Sequence, residues 1–117
     1  MGQIIKPNFE LPYKSLIFNY RNLDTSDILF NDTGLNWTIF SGTTGELFIQ
    51  ADQLILQQIK YCVIVTPMRV GNNHSINVDY DLAITDVIKL YCCENGNNNL
   101  TNDGFEQMTI QINFFNL

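Results

Sequence analysis

Two aspartates stand two positions apart in the segment INVDYDL, residues 76–82. Strict alternation of apolar and polar residues reads as a half-buried β-strand, so Asp79 and Asp81 project from its polar side together. At a rise of about 3.4 Å per residue their Cα atoms lie about 7 Å apart. Carboxylate pairs at such spacings serve glycoside hydrolysis, provided burial or a neighbouring charge holds one acid protonated. On the water side of a cleanly alternating strand both acids are solvated. The expectation is therefore no catalytic residue and no enzyme; the pair belongs to a face that meets solvent, a ligand or a partner.

The remaining reactive side chains are sparse. His74 is the sole histidine and sits in an Asn-rich stretch, and neither Ser41 nor Ser75 lies in a nucleophile-elbow context. The three cysteines, Cys62, Cys92 and Cys93, form no CxxC pair, and with no second histidine a zinc site is not expected. An odd count with two adjacent members is also a poor disulfide framework, so buried reduced thiols are expected. Only one of Cys92 and Cys93 can face the core beside Cys62, because neighbours on a strand point to opposite faces. The segment NGNNNLTNDG carries oxygen ligands at Asn97, Asn99, Thr101 and Asp103, but it lacks the acidic density and closing Glu of an EF-hand. No phosphate-cradling glycine loop is present. No metal and no cofactor are expected.

Charged residues make up 15% of the 117, which is low, so the polar surface must come largely from Asn, Thr, Gln and Ser. The net charge is −6, and the six Lys and Arg are scattered. Clustered cations are what phosphate backbones and anionic lipid surfaces require, so neither nucleic acid nor a membrane is an expected partner. No run approaches the roughly 18 apolar residues of a spanning helix. The N-terminus shows no secretory pattern, and synthesis in a reducing cytoplasm is expected.

The elements that must position these residues are short apolar runs parted by turn signals. Strands are expected over 16–20, 36–41, 46–50, 60–68, 76–82, 86–93 and 105–115, with 54–57 as a further strand or a bulged continuation. DTSDILF, 24–30, is open between a strand and a short helical turn, and 51–61 is the other place where a helix fits. KYCVIVTPM, 60–68, is apolar on both faces and reads as a central strand stopped by Pro67. Trp37 alternates in phase with Ile39 and is expected in the core rather than on a sugar ring. About eight strands without a sustained helical period predict an all-β chain. Its expected form is an antiparallel, jelly-roll-like β-sandwich over residues 16–117. Residues 1–15, with Pro7 and Pro12, read as an extended N-terminal arm, whose Ile4, Ile5, Phe9 and Leu11 would act as docking anchors. If 76–82, 86–93 and 105–115 share one sheet, its outward face collects Asn77, Asp79, Asp81, Lys89, Tyr91 and Gln111, with Thr109 and Asn113 beside them. That set would suit a glycan or a wet protein interface.

The stretches NWTIFSGTTGELFI, YCVIVTP, INVDYDL, IKLY and MTIQINFF, spread over about two thirds of the chain, resemble the β-sandwich of carbohydrate-binding modules and of phage virion proteins built on them. The Asn- and Ile-rich style is similar to structural proteins of crAss-like and other tailed phages of Bacteroidetes hosts. The resemblance implies a non-catalytic structural protein of a bacteriophage virion, a capsid decoration or head-fibre component. It would be a homo-oligomer docked on other virion proteins, with carbohydrate binding at surface glycans as the alternative. It carries no functional residue over.

Overall fold

The computed structural model describes residues 12–21, 25–53, 59–67, 74–79, 86–94, 96–102, 105 and 107–116. Eight strands follow one another: β1 (Tyr13–Arg21), β2 (Thr25–Asn31), β3 (Trp37–Ser41), β4 (Glu46–Ala51), β5 (Lys60–Pro67), β6 (Ser75–Asp79), β7 (Val87–Cys93) and β8 (Gln107–Phe115). They form two four-stranded sheets, one ordered β2-β1-β8-β5 and the other β3-β4-β7-β6, with every pair antiparallel. The expected all-β sandwich is what forms.

Period-2 patterning explains the layers. Leu16, Phe18 and Tyr20 of β1 and Met108, Ile110, Ile112 and Phe114 of β8 turn to one side of the first sheet. Leu47 and Ile49 of β4 and Ile88, Leu90 and Cys92 of β7 turn to one side of the second. Together they make one buried cluster, and most of its members are wholly inaccessible. At about 25 cal/mol per Å² of apolar surface removed from water, this burial is the main term opposing chain entropy. Trp37 bridges the layers, its indole stacked on Phe114 at 4.9 Å between ring centroids. The indole Nε1 donates to Thr33 Oγ1 at 2.9 Å, and Thr33 in turn donates to Asn31 Oδ1. The NDTG turn thus ties the only tryptophan in place, and core packing for Trp37 holds.

Several expectations change. DTSDILF is strand, not helix: β2 pairs with β1, and a one-residue bulge places Leu29 outside the ladder between Phe30↔Ile17 and Ile28↔Phe18. Residues 13–15, expected in the arm, already belong to β1, where Tyr13 pairs with Phe115. β5 is an edge strand rather than a central one, and Cys62, expected in the core, is exposed while Cys92 is buried. The apolar two-faced run of β5 was read as a sign of neighbours on both sides, whereas it reflects an apolar outer surface on its sheet. The most consequential change concerns β8. It lies in the sheet of β1 and not beside β6 and β7, so Gln111, Thr109 and Asn113 face away from Asp79, Lys89 and Tyr91 on the opposite side of the sandwich. Ile4, Ile5, Phe9, Leu11 and Asp81 lie outside the described residues, as does the 54–57 segment.

Candidate functional site

The outer face of the β3-β4-β7-β6 sheet is built by register. Phe40 of β3 pairs with Phe48 of β4, Phe48 with Lys89 of β7, and Lys89 with Asp79 of β6. The next row places Glu46 opposite Tyr91 and Tyr91 opposite Asn77. Of the residues singled out from sequence, the structure brings Asn77, Asp79, Lys89 and Tyr91 onto one surface and separates Gln111 from them.

Lys89 is the hub. Its Nζ sits 2.5 Å from Glu46 Oε2, 5.3 Å from the Phe48 ring centroid and 4.8 Å from that of Tyr91. A cation between two aromatic faces gains from the ring quadrupoles, and the long stem covers apolar surface while the head is neutralised. Phe40 stacks on Phe48 at 5.2 Å and 19° between planes, so Phe48 has a ring on its β3 side and an ammonium on its β7 side. The side chains of Lys89 and Glu46 are only 22% and 12% exposed, which sets this pair apart from a freely solvated surface bridge.

Local sequence explains the geometry. The β3–β4 turn contains Gly42, where a Cβ would collide with the Phe48 ring, and Gly45, whose φ of +78° places it in the left-handed region. Thr43 donates to Glu46 Oε1 from its backbone N at 3.1 Å and from its hydroxyl. These bonds aim the carboxylate at Lys89. The Lys89 hydrogen bond, followed by the Thr43 hydroxyl, holds the Glu46 carboxyl below its usual value. The same carboxylate, and then Tyr91, push the Lys89 ammonium up.

Phe40, Phe48 and Glu46 were missed in the sequence. The signal was present: in NWTIFS and ELFIQ they share parity with Thr38 and Gln50, residues that only an outward face tolerates. In the Asn-rich loop, Asn97 Oδ1 accepts from Asn99 N at 2.9 Å and Asn97 Nδ2 donates to Glu94 Oε2 at 3.1 Å, while Asp103 lies outside the described residues. Asn102 Oδ1 accepts from Gly45 N at 2.7 Å, pinning this loop against the β3–β4 turn. Among the described residues no group of three or more His, Cys, Asp or Glu could hold a metal ion. His74 borders a cleft of about 260 Å³ between the edge strands β5 and β6, lined otherwise by Val63, Val65, Pro67, Ile76 and Val78.

The β3-β4-β7-β6 face thus presents an internally braced aromatic patch with a compensated charge. Compared with protein-family models, with curated proteins and with solved structures, the chain matches none.

Proposed function

We propose that this protein is a non-catalytic structural component of a bacteriophage virion, of the capsid-decoration or head-fibre kind, which docks on another virion protein through the Phe40–Phe48–Lys89–Tyr91 face. The virion part of the reading rests on the strand pattern and composition described above. The docking part rests on one observation: Phe48, the central ring of this surface, is flanked by Phe40 and Lys89, and Tyr91 lies under the same ammonium. A sugar stacks on an open ring face, which Phe48 does not offer. A protein partner instead benefits from a surface whose side chains are already ordered, because little rotamer entropy is lost on association. The lysine charge, matched within the face, need not be matched by the partner.

Mass spectrometry of purified particles of the phage that encodes the gene should find this chain at near-stoichiometric occupancy with a major structural protein. Phe40→Ser should reduce that occupancy while leaving the fold intact, since Phe40 is 40% exposed. The wild-type protein should give no signal on a glycan array. Its absence from purified particles would end the virion reading, and a glycan signal lost in Tyr91→Ala would transfer the face to carbohydrate binding.

A further inference from the structure

The opposite surface of the sandwich carries a second pattern. On the outer side of the β2-β1-β8-β5 sheet, Phe30, Ile17, Gln111 and Ile64 stand in one row across all four strands. Phe30 is 48% exposed and Ile64 45%, and Ile17 stands between them in the row, so the apolar positions group on one face rather than scatter singly. The row crosses the middle of the sheet: Ile17 is the central residue of β1 and Gln111 that of β8. Tyr13 and Phe115 add an edge-to-face pair at one end.

The polar residues between these apolar ones are bonded to each other. Ser15 Oγ donates to Asn113 Oδ1 at 2.8 Å, Gln111 Nε2 donates to the same oxygen at 3.0 Å, and Thr109 Oγ1 donates to Asn19 Oδ1 at 2.7 Å. Each of these groups keeps at least one hydrogen bond when covered, which lowers the cost of burying it. Among the described outward residues of this sheet only Arg21, Asp27 and Lys60 are charged, and they stand at its margins. Asp32, just past the edge strand β2, accepts from Ser15 N at 2.6 Å and adds an acid at that margin, whereas Glu46, Asp52, Asp79, Asp86 and Glu94 belong to the other sheet or its loops. A neutral apolar centre with a charged rim is the anatomy of a protein interface.

We infer that two copies of this chain pair face to face through the outer surfaces of their β2-β1-β8-β5 sheets, about a twofold axis. Two arguments select a second copy as the occupant. The first is charge: with −6 on each chain, this pairing brings together the sheet with fewer of the described acids, two at its margin, and keeps apart the side that carries the other five. The second is symmetry: a row at the midline of a sheet falls on its own mate under either in-plane twofold. Phe30 then meets Phe30 or Ile64 of the other copy, so the exposed apolar ends of the row cover each other, while Gln111 meets Gln111 or Ile17. The area is sufficient. Strands of about 8 residues at ~3.4 Å each and four strands at ~4.8 Å give a footprint of roughly 500 Å² per copy, about 1,000 Å² in all, the lower bound for a specific interface. The pairing also accounts for β5, whose two-sided apolar sequence is that of a strand covered on both faces. This inference does not depend on the virion reading.

Sedimentation equilibrium of the full chain between about 1 and 100 µM, a range suited to an interface of this size, tests it with reductant present to keep the exposed Cys62 thiols apart. The wild type should sediment as a dimer at the upper end of the range. Ile64→Lys and Phe30→Lys, at opposite edges of the face, should each weaken dimerisation at least about tenfold, the cost of desolvating one unpaired charge. Both should retain wild-type Trp37 fluorescence, and the wild-type melting temperature at dilutions where all are monomeric, because both positions are already half exposed in the single chain. Phe40→Lys on the other sheet should leave the dimer unchanged. A wild type that stays monomeric throughout would overturn the inference. So would dimers indifferent to both Ile64→Lys and Phe30→Lys, or dimers dissociated by Phe40→Lys instead.

Discussion

Replacing Lys89 with Met keeps a stem of similar length against Phe48 and Tyr91 and removes the charge. Three attractions are lost: one ion pair with Glu46 and a cation–π contact with each ring. A near-surface ion pair contributes up to about 1 kcal/mol, and each cation–π contact about 0.5–1 kcal/mol. Some of this returns because Met packs well beside aromatic rings. The expected destabilisation at neutral pH is about 1–2 kcal/mol, a fall of roughly 4–8 °C in melting temperature for a domain of this size. Its pH dependence identifies the partner. The Glu46 carboxyl is held below its ordinary 4.5, so its contribution is complete above that value and disappears as pH falls through its lower folded value. Lys89 is held above its ordinary 10.5, so its contribution is complete below that value and disappears as pH rises through its higher folded one. The gap between wild type and Lys89→Met should therefore be level from about pH 5 to pH 10 and shrink on both sides. At low pH roughly half should remain, because the cation–π contacts survive protonation of Glu46. Urea unfolding followed by Trp37 fluorescence, repeated across pH, measures this directly. A gap that is the same at pH 7 and pH 2, or no gap at pH 7, would refute the view that this ion pair braces the face.

Three further outcomes follow from the geometry. Thr33→Val removes the acceptor of the Trp37 indole N–H and should cost about 1–3 kcal/mol in urea unfolding, with less than additive loss when combined with Trp37→Phe. Gly34→Ala and Gly45→Ala both force alanine to a φ of +78°, but only at Gly45 does the new Cβ stand 2.8 Å from Leu100 and 3.0 Å from the Cys92 carbonyl oxygen. Thermal denaturation should show about 1–2 kcal/mol lost at Gly34 and at least about 1 kcal/mol more at Gly45. Ile112→Ala, at a wholly buried position at the centre of β8, should cost about 2–5 kcal/mol by calorimetry or urea titration.

Local pattern accounts for much of this molecule. Alternation in LIFNY, ELFIQ, VIKLYCC and MTIQINFF decides which residues point inward, because a pleated strand has a period of two whatever its neighbours. Trp37 could be placed in the core on that ground, and Asp79, Lys89 and Tyr91 on the outside. The same rule, applied to NWTIFS and ELFIQ, would have put Phe40 and Phe48 outside as well. Alternation cannot say which strand lies beside which. Pairing is decided by long-range closure, through Phe114 stacking on Trp37 across the layers and β8 seating between β1 and β5. That one choice moved Gln111 from the Lys89 face to the centre of the opposite sheet and turned β5 from an expected central strand into an edge. Residue type and spacing along the chain set what each side chain is suited to touch. That Lys89 meets Glu46 between two rings follows from folding alone, because the contact needs β4 and β7, distant in the chain, to pair in one register.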